Sequence, residues 1–456
     1  MREEALNVLM NMEKTGRLSH LVIGEALMRL QFAPKNERAF FTMLCEGVTE
    51  QRIYLDYVLD AFSKTKMKKC KPLIRNLLRL SAYQILFMNV RDAAACSEAV
   101  NLAKKRGFRS LSGFVNGVLR TLTREKEHLP LPDRKKDSGK YLSVRYSMPL
   151  WLVELLTEQY GEEDTETMLA SFLTARPTTI RACLSKTEPR NLRKSLEESG
   201  VTVEEGRYFP YAFRISGYNY LNKIPAFRQG LFVIQDESSM FPVEVSGIRA
   251  GDRVLDLCAA PGGKTFHAAD RTGENGLVIA RDLTEYKTEL LQENNDRMKY
   301  PQVKIEQWDA TEFDASLEAS MDVVLADLPC SGLGIMGRKN DIKYHLTREQ
   351  LDELVDLQRK ILSLAWKYVK PGGTLIFSTC TLNRRENVEN VRWIEENTPL
   401  RRVSVEACLP EELREVYKSM IKASGRAAAG NTGVFCCSRC REGVISAEQQ
   451  TEIGGK

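Results

Sequence analysis

The feature that most constrains the fold of this sequence is a run of alternating strand and helix patterns from residue 231 onward. Short, nearly all-apolar segments, among them RVLDL (253–257), GLVIA (276–280) and MDVVLA (321–326), are separated by helical patterns. Strands this apolar are typical of a parallel sheet with helices on both faces. The pattern therefore predicts a doubly wound α/β domain.

The chain before this domain divides into two further regions. The first places apolar residues at helical spacing and predicts an all-α bundle, while the second alternates helical patterns with short strand-like segments, TTIRACL (178–184) and YAFRIS (211–216), and predicts a small α+β domain. The predicted boundaries are 1–127 for the bundle, 128–140 for a linker, 141–230 for the α+β domain, 231–441 for the α/β domain and 442–456 for a polar tail.

Charge is distributed unevenly along the chain. Residues 1–136 contain 25 Lys+Arg and 14 Asp+Glu, whereas the rest contains 41 and 47. The N-terminal region, net +11 against −6 for the remainder, is therefore suited to a polyanion such as RNA, although a solvated basic surface explains the charge equally well. The run KTKMKKCK (64–71) has the same two interpretations.

Composition excludes several classes of protein. With 43% hydrophobic and 28% charged residues, the chain is neither disordered nor fibrous. No apolar run approaches the ~20 residues of a membrane span, and the N-terminus carries early acids instead of a signal-peptide pattern. The 11 cysteines form no disulfide framework, so we expect reduced thiols in a cytoplasmic protein.

The residues that follow the predicted strands carry the chemistry, because open α/β sheets bind ligands at the carboxyl ends of their strands. They are Cys258, Ala259, Ala260, Pro261, Gly262, Gly263 and Lys264 after the first strand, then Asp282, Asp309, Asp327 and Cys380 after later ones. A glycine turn alone is more often structural. Combined with Asp282, 19 residues beyond Gly263, and Asp309, it favours a cofactor with an adenosine group.

Two cysteines lie after strands, Cys330 in DLPCSGLG (327–334) and Cys380 in STCT (378–381). Either one alone is more readily interpreted as an inert, buried thiol. Two at one sheet edge favour chemistry, since a thiolate adds readily to a conjugated carbon. The four histidines have no ligand spacing, and Cys436, Cys437 and Cys440 lack a fourth ligand, so we expect no metal.

These motifs resemble a known family. DLCAAPGGKT (256–265), DLPCSGLG, STCT and QDESS (235–239) are similar to motifs of the S-adenosylmethionine-dependent RNA cytosine-5 methyltransferases. Segments of the N-terminal region, including GFVNGVLR (113–120), resemble a NusB-like RNA-binding domain. The combination resembles the bacterial 16S ribosomal RNA cytosine methyltransferase B family over nearly the whole chain. This implies a multidomain protein with a NusB-like bundle, a small α+β domain and a Rossmann-like methyltransferase domain.

The resemblance implies a reaction and a role for each residue. Cytosine C5 is a weak nucleophile, and the family adds a cysteine thiolate to C6; by the motifs, Cys380 is that nucleophile and Cys330 assists product release. Asp327 lies near the methionine end of the cofactor or the base, Asp282 holds the ribose and Asp309 faces the adenine. Residues 258–264 form the cofactor loop. The substrate implied is 16S rRNA, in the small subunit or its precursor, with no membrane or obligate protein partner.

Several alternatives accompany this interpretation. The rival function is a NusB-like RNA-binding, ribosome-assembly or transcription factor whose methyltransferase domain is inactive. Aromatic residues in the segment 207–220 are interpreted as core in preference to base-stacking surfaces. Arg176 and Arg181 are candidates for contacts with the RNA backbone, or else solvated. The C-terminal ~30 residues, which contain GlyValPhe (433–435) where the family has a glycine-aromatic-aromatic strand, diverge from the family pattern or are read out of frame.

Overall fold

A computed structural model describes residues 1–174 and 177–415, together with the backbone of 434–437 and 440–446. The chain packs as two compact units, one formed by Met1–Ala175 with Ile335–Leu346 and the other by Arg176–Gly334 with Thr347–Lys456. In the described part of the chain, no helix combines the length and apolar character needed to cross a lipid bilayer.

Helices dominate the first unit and cover the sheets of the second. In chain order they are α1 (Arg2–Thr15), α2 (Ser19–Arg29), α3 (Lys35–Glu50), α4 (Arg52–Phe62), α5 (Pro72–Phe87), α6 (Asp92–Lys105), α7 (Ser112–Glu125), α8 (Ser138–Arg145), α9 (Leu150–Tyr160), α10 (Glu162–Phe172), α11 (Pro189–Glu198), α12 (Pro225–Arg228), α13 (Glu237–Glu244), α14 (Gly263–Thr272), α15 (Glu285–Met298), α16 (Ile342–His345), α17 (Arg348–Ala365) and α18 (Val388–Asn397). The first unit contains α1 to α10 and α16.

The helical bundle predicted from the first 127 residues is confirmed. Its central helix, α5, begins at Pro72, where the missing N–H of proline costs nothing because the first turn has no intrahelical partner. Apolar side chains at helical spacing, such as Leu73, Leu77, Leu80 and Ile85, are buried along α5. They pack with buried residues of α1, α3, α4, α6 and α7 into one hydrophobic core.

The second unit contains a small antiparallel sheet of the order β2-β3-β1-β4. Its strands are β1 (Thr178–Ala182), β2 (Thr202–Glu205), β3 (Ala212–Ser216) and β4 (Phe232–Ile234). The two strand-like segments predicted at 178–184 and 211–216 are thus both strands. The buried side chains of the aromatic segment, Phe209, Tyr211 and Phe213, lie in the core as predicted.

The large sheet has the order β10-β12-β9-β8-β5-β6-β7, with β11 paired to β12. Its strands are β5 (Arg253–Asp256), β6 (Leu277–Asp282), β7 (Val303–Gln307), β8 (Met321–Asp327), β9 (Val369–Thr379), β10 (Arg401–Arg402), β11 (Val434–Cys437) and β12 (Cys440–Ser446). Strands β5 to β9 are mutually parallel, and β12 runs antiparallel to β9. The predicted doubly wound α/β architecture is confirmed.

Both faces of the parallel strands β5, β6 and β8 are largely buried, which explains their mostly apolar sequences. Because successive side chains point to opposite faces, Val254 and Leu255 enter different hydrophobic cores. On one face the sheet packs against residues of α14 and α15, such as Phe266 and Leu291. On the other it packs against α17 and α18. The sheet is therefore a rigid central layer, and its carboxyl edge is a fixed platform.

Candidate active site

The structure brings the sequence-predicted site residues to one edge of the large sheet. Strands β9, β8, β5, β6 and β7 are neighbours in that order and run parallel, so their carboxyl ends lie side by side. At those ends lie the loop 258–264 after β5, Asp282 at the end of β6, Asp309 after β7, Asp327 at the end of β8, Cys330 in the loop after β8, and Cys380 after β9. Open α/β sheets bind ligands at this edge.

The two cysteines meet. The Sγ atoms of Cys330 and Cys380 lie 3.1 Å apart, and the Cys380 backbone N–H donates to the Cys330 sulfur over 3.3 Å. Its hydrogen bond with the Cys380 sulfur, its burial and the charge of Glu386 hold the pKa of the Cys330 thiol well above the usual range. Cys330 is therefore a protonated thiol near neutral pH.

The glycine-containing loop is held close to the neighbouring strand by backbone contacts. The Ala259 N–H donates to the carbonyl of Arg281 over 2.9 Å, and the Ala260 N–H donates to Asp282 Oδ2 over 3.0 Å. Gly262 has a φ of 106°, and a Cβ at this position would lie 2.2 Å from the Phe266 ring. Glycine is required there to start α14 at this angle.

Asp282 is a buried carboxylate with donors on both oxygens. Beside the Ala260 N–H, it accepts the Leu283 N–H and the Lys287 ammonium, each over 2.8 Å. An ionised carboxylate has about four acceptor sites, so capacity remains for a hydroxyl group. Leu283 and Tyr286 next to it are 56% and 68% exposed. This apolar surface beside a carboxylate fits the ribose and base of an adenosine group.

Asp327 links the loop 258–264 to β9. Its Oδ2 accepts the Lys264 ammonium over 2.7 Å and its Oδ1 accepts the Ser378 hydroxyl over 2.9 Å. Beneath them lies Asp256, whose pKa is raised to about 7 by burial, against the hydrogen bond from Thr265. The negative side chains at this edge suit a ligand that carries a positive charge.

Asp309 occupies a more open position. Its Oδ1 accepts the Thr311 N–H over 2.8 Å, and hydrogen bonds from Thr311 lower the pKa of the carboxyl. Cys258, by contrast, is packed against the core, and burial raises the pKa of its thiol. Cys258 is therefore placed as a packing residue, in contrast to Cys330 and Cys380.

Sequence reasoning missed a group of buried polar residues behind the thiols: Gln358, Asn383, Glu386, Asn387 and Asn390. A signal for two of them exists in the helical pattern. Gln358 occupies a position of the buried stripe of α17 between Val355 and Leu362, where an apolar residue is expected. Asn390 is likewise buried on α18 beside Val391.

Sequence analysis gave two interpretations of Arg181, a contact with the RNA backbone or a solvated surface position, and both are wrong. Arg181 is 1% exposed and forms an ion pair with the equally buried Asp270 over 3.0 Å. Asp270 also accepts the N–H groups of Leu184 and Ser185. The arginine thus supports the small sheet from within. Arg176 lies outside the described residues.

Comparison with known proteins gives three family matches. A model described as 16S rRNA methyltransferase RsmB/F matches residues 246–423. The NusB family model matches residues 1–124, and a model of the RsmF/B-like, ferredoxin-like domain matches residues 148–219. Together these models cover the bundle, part of the region that follows it, and strands β5 to β10 of the large sheet.

Individual proteins are similar along nearly the whole chain. A probable ribosomal RNA small subunit methyltransferase B from Bacillus subtilis is 34% identical, with 97% of this chain and 99% of that protein covered. A protein of the same name from Synechocystis is 30% identical over 90% of this chain and 92% of its own. Among solved structures, that of PH0851 superposes with a TM-score of 0.73 at 25% identity, covering 88% of this chain and 91% of that one.

Proposed function

The chain belongs to the 16S rRNA methyltransferase RsmB/F family, and from this premise we propose how its own residues carry out the reaction. It is an S-adenosylmethionine-dependent enzyme that methylates C5 of a cytosine in 16S rRNA. We propose that the substrate is 16S rRNA in the small subunit or its precursor. We further propose that the enzyme acts in the cytoplasm without an obligate protein partner.

The thiol pair carries the mechanistic proposal. Cytosine C5 does not attack a methyl group unaided, so Cys380 thiolate first forms a bond between its Sγ and C6 of the ring. The electron pair of the C5–C6 double bond then becomes available at C5. Bound S-adenosylmethionine would supply an electrophilic methyl group on a sulfonium, whose S–CH3 bond breaks to leave a neutral thioether. After transfer, a base removes the C5 proton, the C6–Sγ bond breaks, and the thiolate of Cys380 is restored.

Cys330 serves the release steps in this proposal. Its sulfur lies 3.1 Å from that of Cys380, so it is next to the bond that must break. Because its pKa is raised, Cys330 remains a thiol and does not compete for C6. It is placed to stabilise the sulfur that leaves C6.

The cofactor residues are assigned by their positions at the strand ends. Asp282 binds the ribose hydroxyls, Asp309 faces the adenine, and the loop 258–264 lies against the cofactor. Asp327, held by Lys264 and Ser378, is oriented toward the methionine end or the target base. The carboxylates at the strand ends and the exposed apolar residue Leu283 support these assignments, because carboxylates attract a cationic sulfonium and accept ribose hydroxyls, and an apolar side chain can pack against adenine.

Methyl transfer to unmethylated 16S rRNA tests the proposal. We expect labelled S-adenosylmethionine to transfer its methyl group to a single cytosine, mapped by bisulfite sequencing. Cys380→Ala abolishes turnover, Cys330→Ala leaves protein covalently trapped on RNA, and Cys408→Ala, which changes an exposed cysteine away from the strand ends, behaves as the wild type.

Two results would overturn parts of this account. RNA binding without any methyl transfer by the wild-type protein would favour an RNA-binding factor with an inactive methyltransferase domain. A trapped adduct in Cys380→Ala instead of Cys330→Ala would exchange the two cysteine roles.

A further inference from the structure

A single buried carboxylate connects the two cysteine loops from behind. Glu386, in a short turn between β9 and α18, is 0% exposed. It accepts the backbone N–H of Ser331 over 2.8 Å and the Ser331 hydroxyl over 2.6 Å. It also accepts the Thr381 hydroxyl over 3.4 Å, and amide groups of Gln358 and Asn383, each over 3.1 Å.

The two hydroxyl donors occupy equivalent positions in the chain. Ser331 directly follows Cys330, and Thr381 directly follows Cys380. Their hydroxyl oxygens also lie 2.6 Å from each other. Because each residue is one peptide unit from its cysteine, fixing both hydroxyls on Glu386 fixes the backbone that carries both sulfurs. The separation of 3.1 Å between the thiols depends on this arrangement.

The carboxylate lies closer to the Cys330 loop than to the Cys380 loop. Ser331 contributes two bonds of 2.8 and 2.6 Å, whereas Thr381 contributes one of 3.4 Å. Two thiolates cannot coexist at 3.1 Å, so the pair holds at most one negative charge. The hydrogen bond with Cys380 and burial raise the pKa of Cys330 most, and repulsion by Glu386 raises it further, which disfavours charge on that sulfur.

Charged groups other than Glu386 also lie near the cysteine loops, and each has a partner of its own. Asp327 at the end of β8 is paired with Lys264, and Arg359 on α17 donates to Asn390 over 3.0 Å. Among the residues that the structure describes, no ion pair involves Glu386. A buried charge with only neutral donors is costly for folding, and a glutamine of the same size costs less. The presence of a carboxyl group here, where an amide would cost less, therefore points to a functional requirement.

We propose that Glu386 is a positioning residue that clamps both cysteine loops through Ser331 and Thr381 and keeps the shared proton on Cys330. The reactive negative charge is then left on Cys380. This inference rests on the proposed function for the roles of the two sulfurs. It adds a residue that touches neither substrate nor cofactor but determines which sulfur attacks.

The test compares Glu386→Gln with the wild-type full chain by alkylation with iodoacetamide over a range of pH. Mass spectrometry of the digested protein gives the modified fraction of each cysteine. We expect Cys380 to react first in the wild type. In Glu386→Gln, alkylation of Cys330 moves to lower pH and the preference for Cys380 falls about tenfold, one pH unit in the relative pKa of the thiols. Turnover on rRNA falls about 100-fold in kcat, with a smaller change in KM.

Two variants of Thr381 test the proposal if Glu386→Gln does not fold. Thr381→Val removes the hydroxyl at nearly the same volume, and Thr381→Ser restores it. We expect a reduced kcat in the first and recovery in the second. Wild-type alkylation profiles in Glu386→Gln, or equal kcat values in the Thr381 pair, would overturn the proposal. Alkylation needs neither RNA nor cofactor, so it fails or succeeds independently of methyl transfer.

Discussion

At the scale of single residues, neighbouring carboxyl groups of the site differ in the partners that surround them. Asp282 and Asp327 hold cations, Lys287 and Lys264, whereas among the described residues the Thr265 hydroxyl is the only side-chain donor to Asp256. Burial therefore dominates at Asp256 and raises the pKa of its carboxyl to about 7. This difference between neighbouring carboxyls has a measurable consequence for stability.

The Asp256 carboxyl makes stability depend on pH in a defined direction. Its pKa in the folded chain, about 7, lies above the ordinary value of 3.8, so the folded state binds more protons between these values. The free energy of unfolding therefore falls as pH rises from about 4 to 7, by at most about 1.4 kcal/mol per pH unit. Urea denaturation of Asp256→Asn should show a weaker decrease over this range. Parallel pH dependences in the two proteins would contradict the assignment.

The site residues at strand ends could be predicted from the sequence, because whether a residue directly follows a strand pattern can be seen in the sequence itself. Cys380 and Asp282 were found in this way. Glu386 was not found, because its importance depends on contacts with Ser331, 55 residues away in sequence. Arg181 was misinterpreted for the same reason, since a strand pattern does not reveal that its partner is Asp270 on α14.

At the scale of elements, α17 begins with strong sequence signals. The Thr347 hydroxyl accepts the Gln350 N–H and the Gln350 side chain accepts the Thr347 N–H, a capping box. The helix carries Gln358, which donates to the carbonyl of Pro329 over 2.8 Å and so supports the Cys330 loop.

Removing this cap should destabilise the protein. Thr347→Ala is expected to lower the free energy of unfolding by about 1 kcal/mol, since an N-terminal N–H loses its partner. Thr167→Ala, at an exposed position within α10, is the control and should change it by less than about 0.5 kcal/mol. Thermal or urea denaturation measures both, and equal effects would contradict the role of the cap.

The junction between α17 and β9 is irregular. The helix ends at Ala365, and β9 begins at Val369, so the segment Lys370–Gly373, whose proline and glycines are typical of a turn, lies inside the strand. The register between β8 and β9 shifts from Met321 opposite Val369 to Val323 opposite Thr374. The segment therefore forms an irregularity inside the strand. A Cβ on Gly373 would lie 2.8 Å from the Asp322 carbonyl, which explains the glycine.

At the scale of the whole molecule, the three predicted architectures are present, whereas the boundaries at 128–140 and 230 stay predictions. The segment Ile335–Leu346 packs within the first unit, which no local pattern indicated. There the Lys343 ammonium donates to the Glu50 carbonyl over 2.8 Å, and the Arg52 guanidinium lies 3.5 Å from the centre of the Tyr344 ring. These contacts join residues nearly 300 positions apart, beyond the reach of periodicity.

The charge asymmetry of the chain predicts how rRNA binding responds to salt. Lys64, Lys68 and Lys69 are exposed in the basic run of the first unit. If they contact phosphates, changing all three to Gln should reduce the slope of log Kd against log salt concentration by about 0.7 to 0.9 for each contact. Lys194→Gln, an exposed lysine in the second unit, should leave the slope unchanged. An equal slope in the triple variant would assign the run to a solvated surface.

The covalent role of Cys380 is tested most directly with 16S rRNA that contains 5-fluorocytosine at the methylated position. Fluorine at C5 cannot leave as a proton does, so the bond between the enzyme and C6 persists after methyl transfer. Digestion and mass spectrometry of the adduct are predicted to find the modified nucleotide on the peptide that contains Cys380. Attachment at Cys330, or methyl transfer from the labelled cofactor with no adduct at all, would contradict the mechanism.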